Sequence, residues 1–347
     1  MDILNWFRQK PKPAERPLLR AADSRPYGLK ALPSRPMIWA IGGGKGGVGK
    51  SLVTSSLGIL LAGSGKRVLI VDADFGAANL HTFFGVQGSK SSLSNFFKGE
   101  VLDFSRLIID SGVHNLSLAC GEKDSLDVAD FNERSVAMLK AALRTAPYDY
   151  VLLDIGPGTG GSHLDLFLMA QTGIIVTSAE PTSVENSYRF LKCLFLRKMK
   201  NAVNSSSDSA LKEALQRLFS NNWSQRVKTI SDILHQLKQM DPQKGELLDE
   251  LMGGMKVGII VNNANGLSNP GFGASMERAC ADYFGIGIKH MGDIDRDEKV
   301  PESVRLRKPF MLHAPESNAA RALRACFAKL TTPDEQASEP ESKGMVI

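Results

Sequence analysis

Two hydrophobic rhythms alternate along the chain. Unbroken runs of aliphatic and β-branched residues recur at "MIWAIGG" (37–43), "RVLIVDAD" (67–74), "NLSLAC" (115–120), "YVLLDIG" (150–156), "GIIVTSAE" (173–180) and "KVGIIVNN" (256–263). Amphipathic segments, apolar at every third or fourth position, lie between most of them. A strand that is apolar on both faces is covered on both faces, and strands separated by helices run parallel. The pattern therefore predicts an α/β protein of three layers, with a mostly parallel central sheet and helices on either side. Ligands of such sheets sit beyond the carboxyl ends of the strands, and the polar residues of interest here fall at those ends.

One stretch breaks the rhythm. About 70 residues separate "PTSVENSYRF" from "KVGIIVNN", more than a crossover needs. Within it, Leu211, Leu215 and Leu218, then Val227, Ile230, Leu234 and Leu237, then Leu248, Leu251 and Met255 follow helical spacing. They predict two or three extra helices, a helical insertion at about 200–255. Surface elaboration and a partner-docking platform are the two readings of it. Residues 8–36 hold six prolines and few aliphatics, as an extended linker does. Residues 331–347 are polar and acidic, as a disordered tail is. The expected organisation is a basic tail at 1–36, one nucleotide-binding domain at 37–330 and an acidic tail at 331–347.

Charge and cysteines narrow the classes. The net charge is +5 in 347 residues, with a hydrophobic content of 43% that suffices for one large core. Residues 1–36 carry a net +5 and residues 331–347 a net −3, leaving the body at +3. So small a surplus does not predict DNA binding. The cysteines, Cys120, Cys193, Cys280 and Cys326, form no C-x-x-C pair, so they read as reduced core thiols. No apolar run reaches the roughly 20 residues of a bilayer span. The N-terminus has an acid at Asp2 and a short apolar cluster, unlike a secretion signal. The expected location is cytoplasmic.

The candidate chemistry starts at "GKGGVGKS", Gly44-Lys45-Gly46-Gly47-Val48-Gly49-Lys50-Ser51. It fits G-x-x-x-x-G-K-[ST], follows a strand and opens a helix. The glycines let backbone N–H groups turn toward phosphate oxygens, and the helix N-terminus adds positive potential. Lys50 is expected on the β- and γ-phosphates and the Ser51 hydroxyl on Mg²⁺. Lys45 is one lysine too many. At the loop tip it is too far round to duplicate Lys50, and it could point toward a neighbour's nucleotide; the alternative is a solvated loop lysine. Asp72 and Asp74 end the second strand run and Asp154 ends the fourth. Gly156 and Gly158 follow Asp154 in a loop whose backbone could sense a γ-phosphate. A helix cap after a strand is the alternative for any single Asp.

"GKGGVGKS" resembles the deviant Walker A motif of the MinD/ParA family of P-loop ATPases. The resemblance extends over about residues 37–330. "DADFGAANL", "SAEPTSVENSYRFLK", "VNNANG" and the block "MGDIDRDEKVPESVRLRKPFMLHAPESNAARAL" are similar to successive segments of its MinD-like branch, including the FlhG/FleN-like flagellar-number regulators. It implies ATP and Mg²⁺ as cofactors and a homodimer that closes on ATP, with Lys45 reaching the partner's phosphates. It implies catalytic roles for Lys45, Lys50 and Asp74, the last positioning water. Asp154 would act as a Walker B-like carboxylate through water, with Ser51 and Asp72 at the metal. Gly156 and Gly158 would belong to switch II, and Asn262 would contact the base. Where relatives carry Asp, this chain has His81, expected as a surface histidine or a pH-sensitive contact near the dimer face. "DIGPG" also departs from the relatives' "DTGAG".

The implied function is an ATP-dependent dimerising switch with slow, partner-stimulated hydrolysis. It would regulate the position or number of a machine such as flagella or the division site, through a protein activator or cargo. A ParA-like cargo mover on DNA is the alternative, disfavoured by the near-neutral body. An iron–sulfur carrier lacks its C-x-x-C, and a tyrosine kinase of this superfamily lacks its tyrosine-rich tail. Relatives bind membrane through a C-terminal amphipathic helix that "SEPESKGMVI" cannot form. "MDILNWFRQK" places Ile3, Leu4, Trp6 and Phe7 within one helical arc. Residues 3–10 thus make a candidate for reversible contact with the inner face of the membrane; a protein-docking peptide and an inert tail are the other readings.

Overall fold

Residues alternate sides along each central strand, and that alternation builds the molecule. In β2 (Val68–Ala73), Leu69, Val71 and Ala73 enter one core while Val68 and Ile70 enter the other. In β1 (Met37–Gly42), Ile38 and Ala40 face the first core, and Trp39 and Ile41 the second. Both faces are buried, which is why these strands read as unbroken apolar runs. The computed structural model describes residues 35–75, 78–89, 91–120, 131–205, 208–213, 229–252, 255–264, 271–284 and 287–332, all within one compact unit, Arg35–Ile347. Of the expected tails at 1–36 and 331–347, residues 1–34, which include 3–10, and residues 333–347 lie outside the described residues.

Among the described residues eight strands form one sheet in the order β3-β4-β2-β5-β1-β6-β7-β8. Besides β1 and β2 these are β3 (Ile108–Asp110), β4 (Leu116–Ala119), β5 (Tyr150–Ile155), β6 (Thr172–Ser178), β7 (Lys256–Asn262) and β8 (Ile288–Ile294). Every neighbouring pair is parallel except β3 with β4. All six expected strands are present, and β3 and β8 are additional. β8 escaped the apolar pattern because, at the sheet edge, its Lys289, His290 and Asp293 are at least partly exposed. β3 has only three residues.

Helices cover both faces. α1 (Lys50–Gly63), the short α2 (Leu80–Phe84), α11 (Phe310–His313) and α12 (Asn318–Thr331) line one core. α3 (Leu93–Phe97), α4 (Glu133–Arg144), α5 (Gly161–Leu168), α6 (Pro181–Ser205), α7 (Ile230–Met240), α8 (Pro242–Met252) and α9 (Phe272–Phe284) line the other. α10 (Lys299–Arg305) follows β8. The rhythm-breaking stretch is helical as expected: α6 runs to Ser205, and α7 and α8 follow. Leu211, Leu234, Leu237 and Leu248 are buried in the α6 side of the core. Met255 is a correction, because α8 ends at Met252 and Met255 lies in the link to β7. Leu215, Leu218 and Val227 lie outside the described residues. Thr229 starts α7 with a reciprocal cap: its hydroxyl accepts from the Asp232 N–H, and the Asp232 carboxylate accepts from the Thr229 N–H.

Among the described residues no helix is long and apolar enough to cross a membrane. Cys120, Cys280 and Cys326 are buried, Cys193 is half-buried, and burial pushes the Cys280 and Cys326 thiols up to about 11.

Candidate nucleotide site

The loop between β1 and α1 is shaped from two sides. Gly49 caps α1 at φ 96, a left-handed backbone that a side chain would strain. A Cβ there would also lie 2.2 Å from the amide nitrogen of Asn262. That amide donates to the Val48 carbonyl at 2.8 Å. On the far side, a Cβ on Gly44 would come within 2.1 Å of the Asn186 carbonyl oxygen in α6. Gly47 also has positive φ, and Gly46 faces Pro157 of the next loop. The result is a rigid turn ahead of a 14-residue helix whose first turn has no acidic residue and no side-chain cap. Its N–H groups are therefore available to an anion.

Three carboxylates gather beside this loop. Asp72 and Asp154 are register partners on β2 and β5 and are both buried. Thr54 donates to Asp154 Oδ1 at 2.9 Å, and Ser51 bonds the same carboxylate. Burial first, and then the neighbouring Asp154, push the Asp72 pKa up. Burial also raises Asp154, opposed by Ser51, Thr54 and Lys50. Lys50 is 7% exposed, and its Nζ lies 3.4 Å from the Lys45 carbonyl. Burial lowers the Lys50 pKa, while Asp154 and Asp74 pull it back up.

Asp72 and Asp74 are used differently. Asp72 accepts from the Leu80 N–H at 3.0 Å and from the Asp74 N–H at 3.3 Å, so both its oxygens hold the turn that follows β2. Asp74 lies one residue beyond β2, and its Oδ1 would be 2.7 Å from a Cβ on Gly156. The loop carrying Gly156 and Gly158, the latter at φ 124, thus lies against the Asp74 carboxylate. His163, in the first turn of α5, is half-buried; burial lowers its pKa and Asp74 opposes the shift.

The two lysines face different partners. Lys50 is folded inside the loop. The Lys45 side chain is 37% exposed, and its ammonium reaches Glu180 Oε2 at 2.8 Å and Thr182 Oγ1 at 3.3 Å, at the start of α6. An ion pair this exposed contributes about 0–1 kcal/mol, so it directs Lys45 without locking it.

The structure brings Gly44 through Ser51, Asp72, Asp74, Asp154, Gly156, Gly158 and Asn262 around one loop. Asn262 sits beneath that loop at 4% exposure, with its amide nitrogen committed to Val48. His81 is a correction to the surface expectation. It is 7% exposed within α2, with Nε2 3.3 Å from the Thr82 hydroxyl. Sequence reasoning missed Glu180, Thr54 and Asn186. Glu180 carries the signal used for the aspartates, an acid just past the carboxyl end of an apolar strand. Thr54 stands one helical turn from Lys50. Asn186 acts through its backbone, which no side-chain pattern reveals.

The donor set suits a magnesium ion. Asp72 and Asp154 are adjacent buried carboxylates whose pKa values are both raised, chiefly by burial, with one buried ammonium to balance them, and the Ser51 and Thr54 hydroxyls adjoin Asp154. Among the described residues no group of three or more His, Cys, Asp or Glu could chelate a metal alone. Mg²⁺ takes one or two carboxylates and completes its shell with phosphates and water.

Comparison with known proteins agrees with this geometry. Residues 39–310 match the CobQ/CobB/MinD/ParA nucleotide binding domain. The antiactivator FleN of Pseudomonas aeruginosa is 31% identical over 157 residues, 45% of this chain and 55% of that protein. The septum site-determining protein MinD of Helicobacter pylori is 35% identical over 162 residues, 44% of this chain and 57% of that one. The chain thus spans about half the length of the curated relatives it matches. The septum site-determining protein MinD of Pyrococcus horikoshii, solved with Mg-ADP, shares the fold at a TM-score of 0.58 and 20% identity, covering 86% of this chain and 96% of that one. With the matched region spanning most of its length, the chain belongs to the CobQ/CobB/MinD/ParA nucleotide binding domain family.

Proposed function

We propose that the chain is a dimerising ATPase switch in which two copies close over two ATP molecules. The observation that carries this reading is the division of labour between the lysines: Lys50 is buried within its own loop, and Lys45 is turned outward and only weakly held. The reaction is ATP + water → ADP + phosphate. The loop N–H groups and Lys50 bind the phosphates, and Lys45 of each copy reaches the other copy's nucleotide to offset charge in the transition state. Asp74 accepts a hydrogen bond from the attacking water and aims it. Ser51 and Asp154, with Asp72 behind them, would hold Mg²⁺. When bound, that ion neutralises phosphate charge.

Gly156 and Gly158 lie where a loop can report the γ-phosphate to α5. The similarity to FleN and MinD supports a regulatory output, the placing or counting of a cellular machine through a protein partner. Reversible membrane contact through residues 3–10 belongs to the same proposal. Replacing Lys45 by Ala tests the core of it. The variant is expected to bind ATP with affinity close to that of the unaltered chain and to lose turnover by about a hundred-fold or more, the scale of a lost transition-state cation. Turnover at the unaltered rate would refute the role in trans. A salt-dependent DNA shift seen only with ATP would favour the cargo-partitioning alternative.

A further inference from the structure

On one helical face, α4, α5 and α6 enclose an open groove of about 640 Å³. Its apolar part includes Leu168, Met169 and Met255, each half-buried. Among the described residues four cations line it. Arg197 is already spent: it holds Asp165 through two bonds at 2.9 and 2.6 Å and Glu133 at 2.7 Å. Lys198 donates to the Met252 carbonyl at 2.5 Å. Lys140 and Lys200 are exposed and have no hydrogen bond or ion pair among the described residues. Among the described residues the groove's two carboxylates, Glu133 and Asp165, are both engaged by Arg197, which leaves Lys140 and Lys200 uncompensated over an apolar floor.

We infer that this groove is a docking site for an acidic amphipathic helix of a protein partner, with apolar residues on Leu168, Met169 and Met255 and carboxylates on Lys140 and Lys200. Charge complementarity selects an acidic occupant. Concavity selects a helix over a bilayer, because a groove between three helices accepts a ridge of side chains and a flat surface cannot enter it. Among the described residues no aromatic side chain lines the groove to give the stacking platforms on which single-stranded nucleic acid depends. The site has a route to the candidate nucleotide site. α5 starts three residues after Gly158, and Asp165 in α5 is held by Arg197 from α6, which begins where Glu180 and Thr182 hold Lys45. The binding claim stands apart from the proposed ATPase; only this coupling rests on it.

The test uses the full chain and a fluorescent 18-residue synthetic helix with leucines on one face and glutamates elsewhere, read by anisotropy. Saturable binding is expected, weakened about ten-fold or more by the double variant Lys140→Glu, Lys200→Glu, which leaves the basic N-terminal tail intact as an internal control. A matching peptide with lysine in place of glutamate is expected to reverse the preference and bind the double variant better. ATP binding by the double variant should be unchanged, which verifies folding. Equal affinity of both proteins for the acidic peptide would overturn the proposal. So would loss of binding to phosphatidylserine vesicles in the double variant with peptide binding intact, since the lysines would then serve a membrane.

Discussion

At the scale of single residues, the second lysine of the glycine-rich loop becomes intelligible through a residue the sequence did not single out. Lys45 is paired with Glu180, and an exposed pair worth about 0–1 kcal/mol shifts an equilibrium by at most about five-fold. Glu180→Gln is accordingly expected to lower the protein concentration at which ATP turnover becomes half-maximal, by up to about five-fold, because less is lost in freeing Lys45. A rise instead would mean that Glu180 aims Lys45 in the assembled state. The loop itself was legible because its glycines and lysine have the G-x-x-x-x-G-K-[ST] spacing between a strand and a helix. The three aspartates were legible from their strand ends. The burial of His81 was not, because a short helix bounded by loops has no periodicity to mark its inner face. Nor was the use of Asn262 as a brace, which depends on how closely β7 approaches Gly49.

At the scale of elements, the central strands were written plainly in the sequence and the edge strands were not. A central strand must be apolar on both faces, whereas β8 lies at the sheet edge, where Lys289 and Asp293 stay exposed although α9 and α12 pack on it. The helices after α6 were legible because their apolar spacing has a structural duty. Leu237 of α7 is fully buried, and truncating such a leucine costs about 2–5 kcal/mol. Leu237→Ala is therefore expected to lower stability by that amount in chemical denaturation. ATP affinity should stay unchanged, because α7 packs on α8, α9 and α6 rather than on the loop; a parallel loss of affinity would mean that these helices hold the site. The sheet supplies a pH-dependent prediction. The Arg67 guanidinium, bonded at 2.8 Å, holds the Asp149 carboxyl below its ordinary 3.8. A depressed pKa in the folded state adds stability above that ordinary value and loses it as pH falls through the folded one. Asp149→Asn should thus lower the denaturation midpoint at pH 7, and the gap to the unaltered chain should close as the pH is lowered below about 4. A gap independent of pH would assign the effect to packing.

At the scale of the whole molecule, the sheet carries the glycine-rich loop at one end and the groove of α4, α5 and α6 on one flank. α5 and α6 touch both, so an event at Gly156 and Gly158 has a short mechanical path to a docked partner. The central claim is that two chains assemble around ATP, each completing the other's site with Lys45. The most direct measurement is the molar mass of Asp74→Ala by light scattering with saturating Mg-ATP, compared with Mg-ADP. Twice the chain mass with ATP and the single-chain mass with ADP is the predicted result. A single-chain mass with both nucleotides, alongside full hydrolysis by the unaltered protein at the same concentration, would contradict it.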